Sequence, residues 1–244
     1  MTPQSAASSR AGARQRRRSP RSDRWAGSKI LTASGSASPR NAATTMAPQR
    51  KSFPLLFLAR PEPFRLSGKR VFLRLPERGD YEAWASLRAR SRNFLTPWEP
   101  SWPADALGRA SYRARVTRYA EDWRTDQAYN LFIFAHSEIL VGGIGLSNLR
   151  RGVSETASLG YWVGEPFARQ GYMTAALPLV LDFSFDRLRL HRIEAACLPT
   201  NIPSQALLAR AGFRQEGYAR QYLCIEGKWQ DHLLFAILRE DWNR

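Results

Sequence analysis

Two cysteines, Cys197 and Cys224, and three histidines, His136, His191 and His232, are all that 244 residues hold of either type. Two thiols cannot form a disulfide framework, and the histidines stand at no metal-ligand spacing. The sequence therefore predicts a reducing, cytoplasmic setting and no metal. Long hydrophobic runs are also lacking. The longest apolar stretches, such as FPLLFLA at 53–59, fall far short of the ~20 residues that cross a bilayer, and no membrane partner is expected. Acids are scarce in one place: residues 1–50 hold ten Lys or Arg against a single acid, Asp23, while the other 194 residues carry 27 basic and 20 acidic groups.

That imbalance divides the chain into a basic extension, 1–50, and a domain, 51–244. The extension has only Trp25, Ile30, Leu31 and a few alanines to bury, too little to offset the entropy of ordering, so it is expected to be disordered. Its Arg- and Ser-rich composition resembles an organelle transit peptide, and the run Arg16-Arg17-Arg18 suits contact with ribosomal RNA phosphates. Alternatively, translation begins at Met46, where more ordinary sequence follows.

Beyond residue 64 the pattern alternates between strand and helix. RVFLRL (70–75) reads as a strand, followed by a helix with Asp80 at its N-cap. Tyr112, Val116, Tyr119 and Trp123 fall on one face of a second helix. YNLFIFA (129–135) and ILVGGIGL (139–146), separated by HSE, form a hairpin, and ASLGYWV (157–163) is a further strand. A helix over the following segment, a strand at HRIEAAC (191–197), a helix at SQALLARAGF (204–213) and a last hairpin turning at Glu226-Gly227 complete the pattern. The fold class is α/β of the α+β type: a mixed, mostly antiparallel sheet with flanking helices.

The stretch FARQGYMTAALPLVLDF (167–183) sets Arg169-Gln170-Gly171 at the start of a helix, after a strand ending at Val163. Free backbone N–H groups and the positive end of the helix dipole would converge there, which makes an anion site suited to a phosphate or pyrophosphate. The plain alternative is that Gly171 only eases a turn. Neither a P-loop nor a dinucleotide-binding glycine pattern is met.

GYWVGEPFARQGYMTAAL, then LHRIEAACLPTNIPSQALLARAGFRQEGYARQYLCIEGKWQDH, and upstream FLTPWEP, resemble the GNAT acetyltransferases, and within them the enzymes that acetylate the N-terminal alanine of ribosomal protein S5. The resemblance spans roughly residues 65–242. It implies acetyl-CoA as cosubstrate and a splayed central strand pair. The pantetheine chain would lie along Tyr161, Trp162 and Val163, and the pyrophosphate on Arg169, Gln170, Gly171, Tyr172, Met173 and Thr174. The chain departs from the family where the phosphate loop has Ala168 and Met173, so only Gly171 agrees. Leu208 occupies the place where many members carry a tyrosine that protonates the leaving thiolate.

That substitution leaves Ser204, in the Asn201-x-x-Ser204 arrangement, as the candidate acid, with helix capping as its alternative role; Asn201 is a candidate for both catalysis and cofactor binding. For the base, Glu194, Glu99 and Asp231 compete, and an exposed strand residue paired with Arg192 is the alternative for Glu194. A backbone N–H near Trp162 or Val163 would meet the oxyanion. Trp98, Glu99 and Trp102 could hold an acceptor ammonium between aromatic walls and a carboxylate; the alternative is a surface loop anchored by Trp98. The expected reaction is acetyl transfer to a protein N-terminal amine, most closely the alanine of ribosomal protein S5. An acceptor that is a small-molecule amine, and a non-catalytic ribosome- or RNA-binding factor, remain open.

Overall fold

The computed structural model describes residues 64–242. The readings made for residues 1–50, disorder and RNA contact included, lie outside the described residues. Strands β1 (Arg65–Ser67) and β2 (Val71–Arg74) lead into helix α1 (Tyr81–Arg90), the one-turn α2 (Arg92–Leu95) and α3 (Arg109–Arg124). Next come β3 (Tyr129–Ala135), β4 (Leu140–Arg150), β5 (Thr156–Val163) and α4 (Tyr172–Asp182). The last elements are β6 (Arg192–Cys197), α5 (Ile202–Arg210), β7 (Arg214–Ile225) and β8 (Lys228–Leu238).

The eight strands form one sheet in the order β1-β2-β3-β4-β5-β6-β8-β7. Every neighbouring pair is antiparallel except β5 and β6, so the expected mixed sheet is the one found. Helices cover both faces, which is why YNLFIFA in β3 is buried at every position but Asn130. On one face Met173, Ala176, Leu177, Val180 and Leu181 of α4 pack on Leu73, Ile133, Val141 and Ile193. On the other, Trp84 and Leu87 of α1 and Tyr112 of α3 pack on Phe72, Phe132, Phe134 and Leu140. Alternation along β2 explains the division: Val71 and Leu73 point one way and Phe72 the other. The final hairpin turns at Glu226 and Gly227, both at positive φ, 47° and 76°, as a two-residue turn requires. Among the described residues no helix is long and apolar enough to cross a membrane.

Asp80 is the N-cap residue of α1, as expected, although its side chain makes no cap hydrogen bond there. Its carboxylate turns back to Arg74, accepting at 2.8 and 2.6 Å, and to the Glu77 N–H at 2.7 Å, because a buried-edge guanidinium binds a carboxylate more strongly than one helix amide does. Helix α5 begins at Ile202 rather than at Ser204, with Asn201 as its N-cap.

Tyr112 is fully buried and donates to the Glu77 carbonyl at 2.8 Å. Burial, reinforced by the charge of Asp80, raises its phenol above the ordinary value of 10. Burial likewise pushes Tyr129 and Tyr161 up to about 12. Each phenol keeps its proton in the folded state where the unfolded chain has lost it. Their contribution is therefore complete below the ordinary phenol value and is lost as pH rises through the folded values. Tyr112→Phe should destabilise the protein by about 1–3 kcal/mol at neutral pH, since it strands the Glu77 carbonyl, and should make the alkaline loss of stability shallower. Urea unfolding measured across the alkaline range checks both.

Candidate active site

The pairing of β5 with β6 runs from Thr156 opposite Arg192 to Leu159 opposite Ala195 and stops. On its other side β5 stays paired with β4 as far as Val163 opposite Gly142. Beyond Leu159 one edge of β5 is open. The Gly164 N–H donates to the Val141 carbonyl at 2.9 Å, which sets the alternation. Gly160, Trp162 and Gly164 turn their backbone groups to β4, while Tyr161 and Val163 present N–H and C=O to the open edge. Of the two oxyanion donors expected from the sequence, Val163 therefore qualifies and Trp162 does not. The Trp162 indole lies across Gly143, where a Cβ would stand 2.5 Å from Nε1, so glycine is required beneath it.

Below this edge sits a small polar cluster. The Tyr161 and Ser204 hydroxyls are 2.7 Å apart, and the Ser204 N–H donates to Asn201 Oδ1 at 3.1 Å. Capping of α5 thus falls to Asn201, and the Ser204 hydroxyl is left for other work. Burial raises the Tyr161 phenol to about 12, so it is a hydrogen donor at neutral pH. Cys197 lies in the same cluster as a buried thiol; burial raises its pKa, with the Ser204 hydroxyl acting against the shift. Leu208 is sealed in the core and offers no proton.

The segment read as an anion site lies in the turn between β5 and α4. Gln170 Nε2 donates to the Pro166 carbonyl at 2.7 Å, and Arg169 and Gly171 both adopt positive φ, 59° and 79°. No side chain caps α4, which leaves the first-turn N–H groups of Tyr172, Met173 and Thr174 without intrahelical acceptors. A Cβ at position 171 would meet Arg70 Nη1 at 2.9 Å. Arg70 escaped the sequence reading because it stands about a hundred residues from the loop, on the turn before β2. It makes no ion pair among the described residues and lies over the Tyr172 ring at 5.4 Å. A doubly charged phosphate group fits this cradle: free amides, a left-handed glycine that keeps the floor clear, and the Arg70 guanidinium beside it.

On the other side of β5 lies a cleft of about 440 Å³ ending at Tyr161 and Trp162. Its charged lining residues are Arg88, Glu99 and Arg115. Arg88 and Glu99 form a two-pronged pair at 2.8 and 2.6 Å, and Trp102 Nε1 donates to the same carboxylate at 2.9 Å. The Arg88 guanidinium lies against both indoles, 4.2 Å from Trp102 and 4.8 Å from Trp162. The tip of the last hairpin braces this loop through the Glu226 N–H, which donates to the Glu99 carbonyl at 3.1 Å. Trp98 ends a 3₁₀ turn, Thr96–Trp98, and does not line the cleft. Glu194 is held by Arg192 at 2.9 Å and Arg150 at 3.3 Å outside the cleft. Asp231 lies exposed on the hairpin, where the Tyr218 hydroxyl and the Gln221 amide hold its carboxyl below the usual range. Among the described residues no cluster of three or more His, Cys, Asp or Glu could hold a metal.

The sequence profile of the acetyltransferase (GNAT) domain matches residues 70–214. The chain is similar to the probable N-acetyltransferase YjcK of Bacillus subtilis (strain 168), 37% identical over 177 residues, which cover 72% of this chain and 98% of that protein. It is also similar to the [ribosomal protein uS5]-alanine N-acetyltransferase of Escherichia coli (strain K12), 35% identical over 182 residues, covering 73% and 93%. The structure of Mycobacterium smegmatis RimJ in complex with CoA-disulfide superposes with a TM-score of 0.71 at 33% identity, covering 75% of this chain and 91% of that one.

Arg70→Ala should weaken acetyl-CoA binding about ten-fold through loss of one charge-assisted contact, and Gly171→Val should weaken it at least as much. Calorimetry with acetyl-CoA and with acetyl-pantetheine, which lacks the diphosphate, checks the cause: the Arg70→Ala loss should appear with the first ligand only.

Proposed function

The chain belongs to the GNAT acetyltransferases and is an acetyl-CoA-dependent N-acetyltransferase; from that premise we propose that its acceptor is a protein N-terminal amine, most closely the alanine of ribosomal protein S5. The observation that carries this reading is the cleft of about 440 Å³ that ends at Tyr161 and Trp162, of a size to take the first few residues of an extended chain. The Escherichia coli relative, a [ribosomal protein uS5]-alanine N-acetyltransferase, supports the choice of acceptor and with it a cytoplasmic location.

Acetyl-CoA supplies the activated acetyl thioester. The open edge at Tyr161 and Val163 would hold its pantetheine chain, and Arg70, Arg169 and the start of α4 its diphosphate. The Val163 N–H would receive the charge that develops on the carbonyl oxygen. Ser204 Oγ holds the proton for the departing sulfur. The Tyr161 hydroxyl, protonated and 2.7 Å away, fixes the orientation of Ser204, so the start of α5 supplies the hydroxyl that Leu208 lacks. Glu99 keeps lone pairs beyond its contacts with Arg88 and Trp102 and would receive the acceptor ammonium. An N-terminal amine titrates near ~8 and lysine near ~10.4. Water beside Glu99 is therefore a sufficient base for the former at neutral pH, and we give Glu194 a surface-pairing role instead.

Peptides beginning with alanine, with leucine, and with acetyl-alanine followed by an internal lysine separate these ideas by mass spectrometry. The alanine peptide should be acetylated fastest and the blocked peptide least; equal rates on all three would remove the acceptor assignment. Ser204→Ala should lower kcat by about 10²-fold or more with little change in acetyl-CoA affinity, as expected for a contact made mainly in the transition state. Asn201→Ala should instead lower thermal stability by about 1 kcal/mol.

A further inference from the structure

Among the charged groups of the acceptor cleft, Arg115 is the one without a counter-ion. Arg88 is neutralised by Glu99, but no described carboxylate lies within salt-bridge distance of Arg115. Among the described residues its one side-chain hydrogen bond is a long one, Nη1 to the Tyr119 hydroxyl at 3.3 Å, and its buried Nε has no acceptor. The guanidinium lies 5.3 Å from the Trp84 ring in a wall that also contains Leu107 and Phe132. A cation held between apolar walls with donors unspent favours a carboxylate above any neutral acceptor.

We propose that Arg115 selects acceptors that carry an acidic side chain at their second or third residue. The inference rests on the reading of the cleft as a site for a protein N-terminus. The position follows from helix geometry. Arg88 lies against Trp162 at the donor end of the cleft, while Arg115 lies against Trp84. Trp84 and Arg88 are four residues apart on α1, about 6 Å along the axis. An extended chain covers that distance in about two residues, so an amine placed at Trp162 brings the side chain of residue two or three to Arg115.

The test compares pairs of alanine-initiated peptides that differ only in Asp against Asn at position two, and again at position three. The full chain and its Arg115→Gln and Arg115→Glu variants are assayed for kcat/KM. The wild type should prefer the Asp peptide of one pair about ten-fold, the effect of one charge-assisted contact. Arg115→Gln should bring that ratio to about one, and Arg115→Glu should favour a lysine peptide at the same position. The Asn peptides report whether each variant is folded and active. A wild-type ratio near one at both positions, or a ratio that survives in Arg115→Gln, overturns the proposal while leaving the N-terminal acceptor in place. Absence of acetylation on every peptide removes both.

Discussion

The end of hydrogen bonding between β5 and β6 after Leu159 and Ala195 is the constraint on which the rest of the site depends. A paired strand has no backbone groups left for a ligand, and an isolated one is not held in place. β5 escapes both limits because β4 holds one edge as far as Val163 while the other opens. Tyr161 and Val163 then offer main-chain donors and acceptors from the middle of an eight-stranded sheet rather than from a loop. The turn that follows carries the chain directly into α4, so the open edge and the unsatisfied helix start are consecutive along one segment and share its rigidity.

Electrostatics divides the work between the two sides of that strand. Beside the start of α4, which no side chain caps, stands Arg70, which makes no ion pair among the described residues. On the acceptor side the strongest charges are paired. Arg88 and Glu99 hold one another between two indoles, with side-chain exposures of only 13% and 21%, so their mutual contact is little screened by water. That pair fixes the loop of Glu99 and Trp102 against α1 and β5, and the hairpin tip at Glu226 braces it from outside. The cleft wall is thereby assembled from three segments distant in sequence.

The glycines and the polar cluster show how narrowly the packing is set. Trp162 can serve as the shared wall because Gly143 gives its indole room. Ser204 is spared the capping of α5 because Asn201, at the N-cap, does that work through its own side chain. Tyr161 then takes up the freed hydroxyl. The Leu208 position of α5 is filled with core, while Ser204 at the start of the same helix carries a hydroxyl that meets Tyr161 of the strand.

The sequence by itself determined the main strands and helices from β2 onward, though not β1 or the one-turn α2, since the apolar runs of β3 and β4 and the apolar face of α4 are local signals that tertiary packing only completes. It also placed Gly171 at a helix start, because the glycine and Tyr172 are contiguous, and carried the GNAT resemblance through GYWVGEPFARQGYMTAAL. Tertiary structure alone decided the partners. Arg70 reaches Gly171, Arg88 takes Glu99, Asp80 turns to Arg74, Glu194 is held by Arg150 and Arg192, and Trp98 is left out of the cleft while Arg115 enters it. Each of these depends on which long side chains the register brings within hydrogen-bond reach. A guanidinium spans several ångströms and finds its acceptor across elements, so one-dimensional spacing carries no record of the choice.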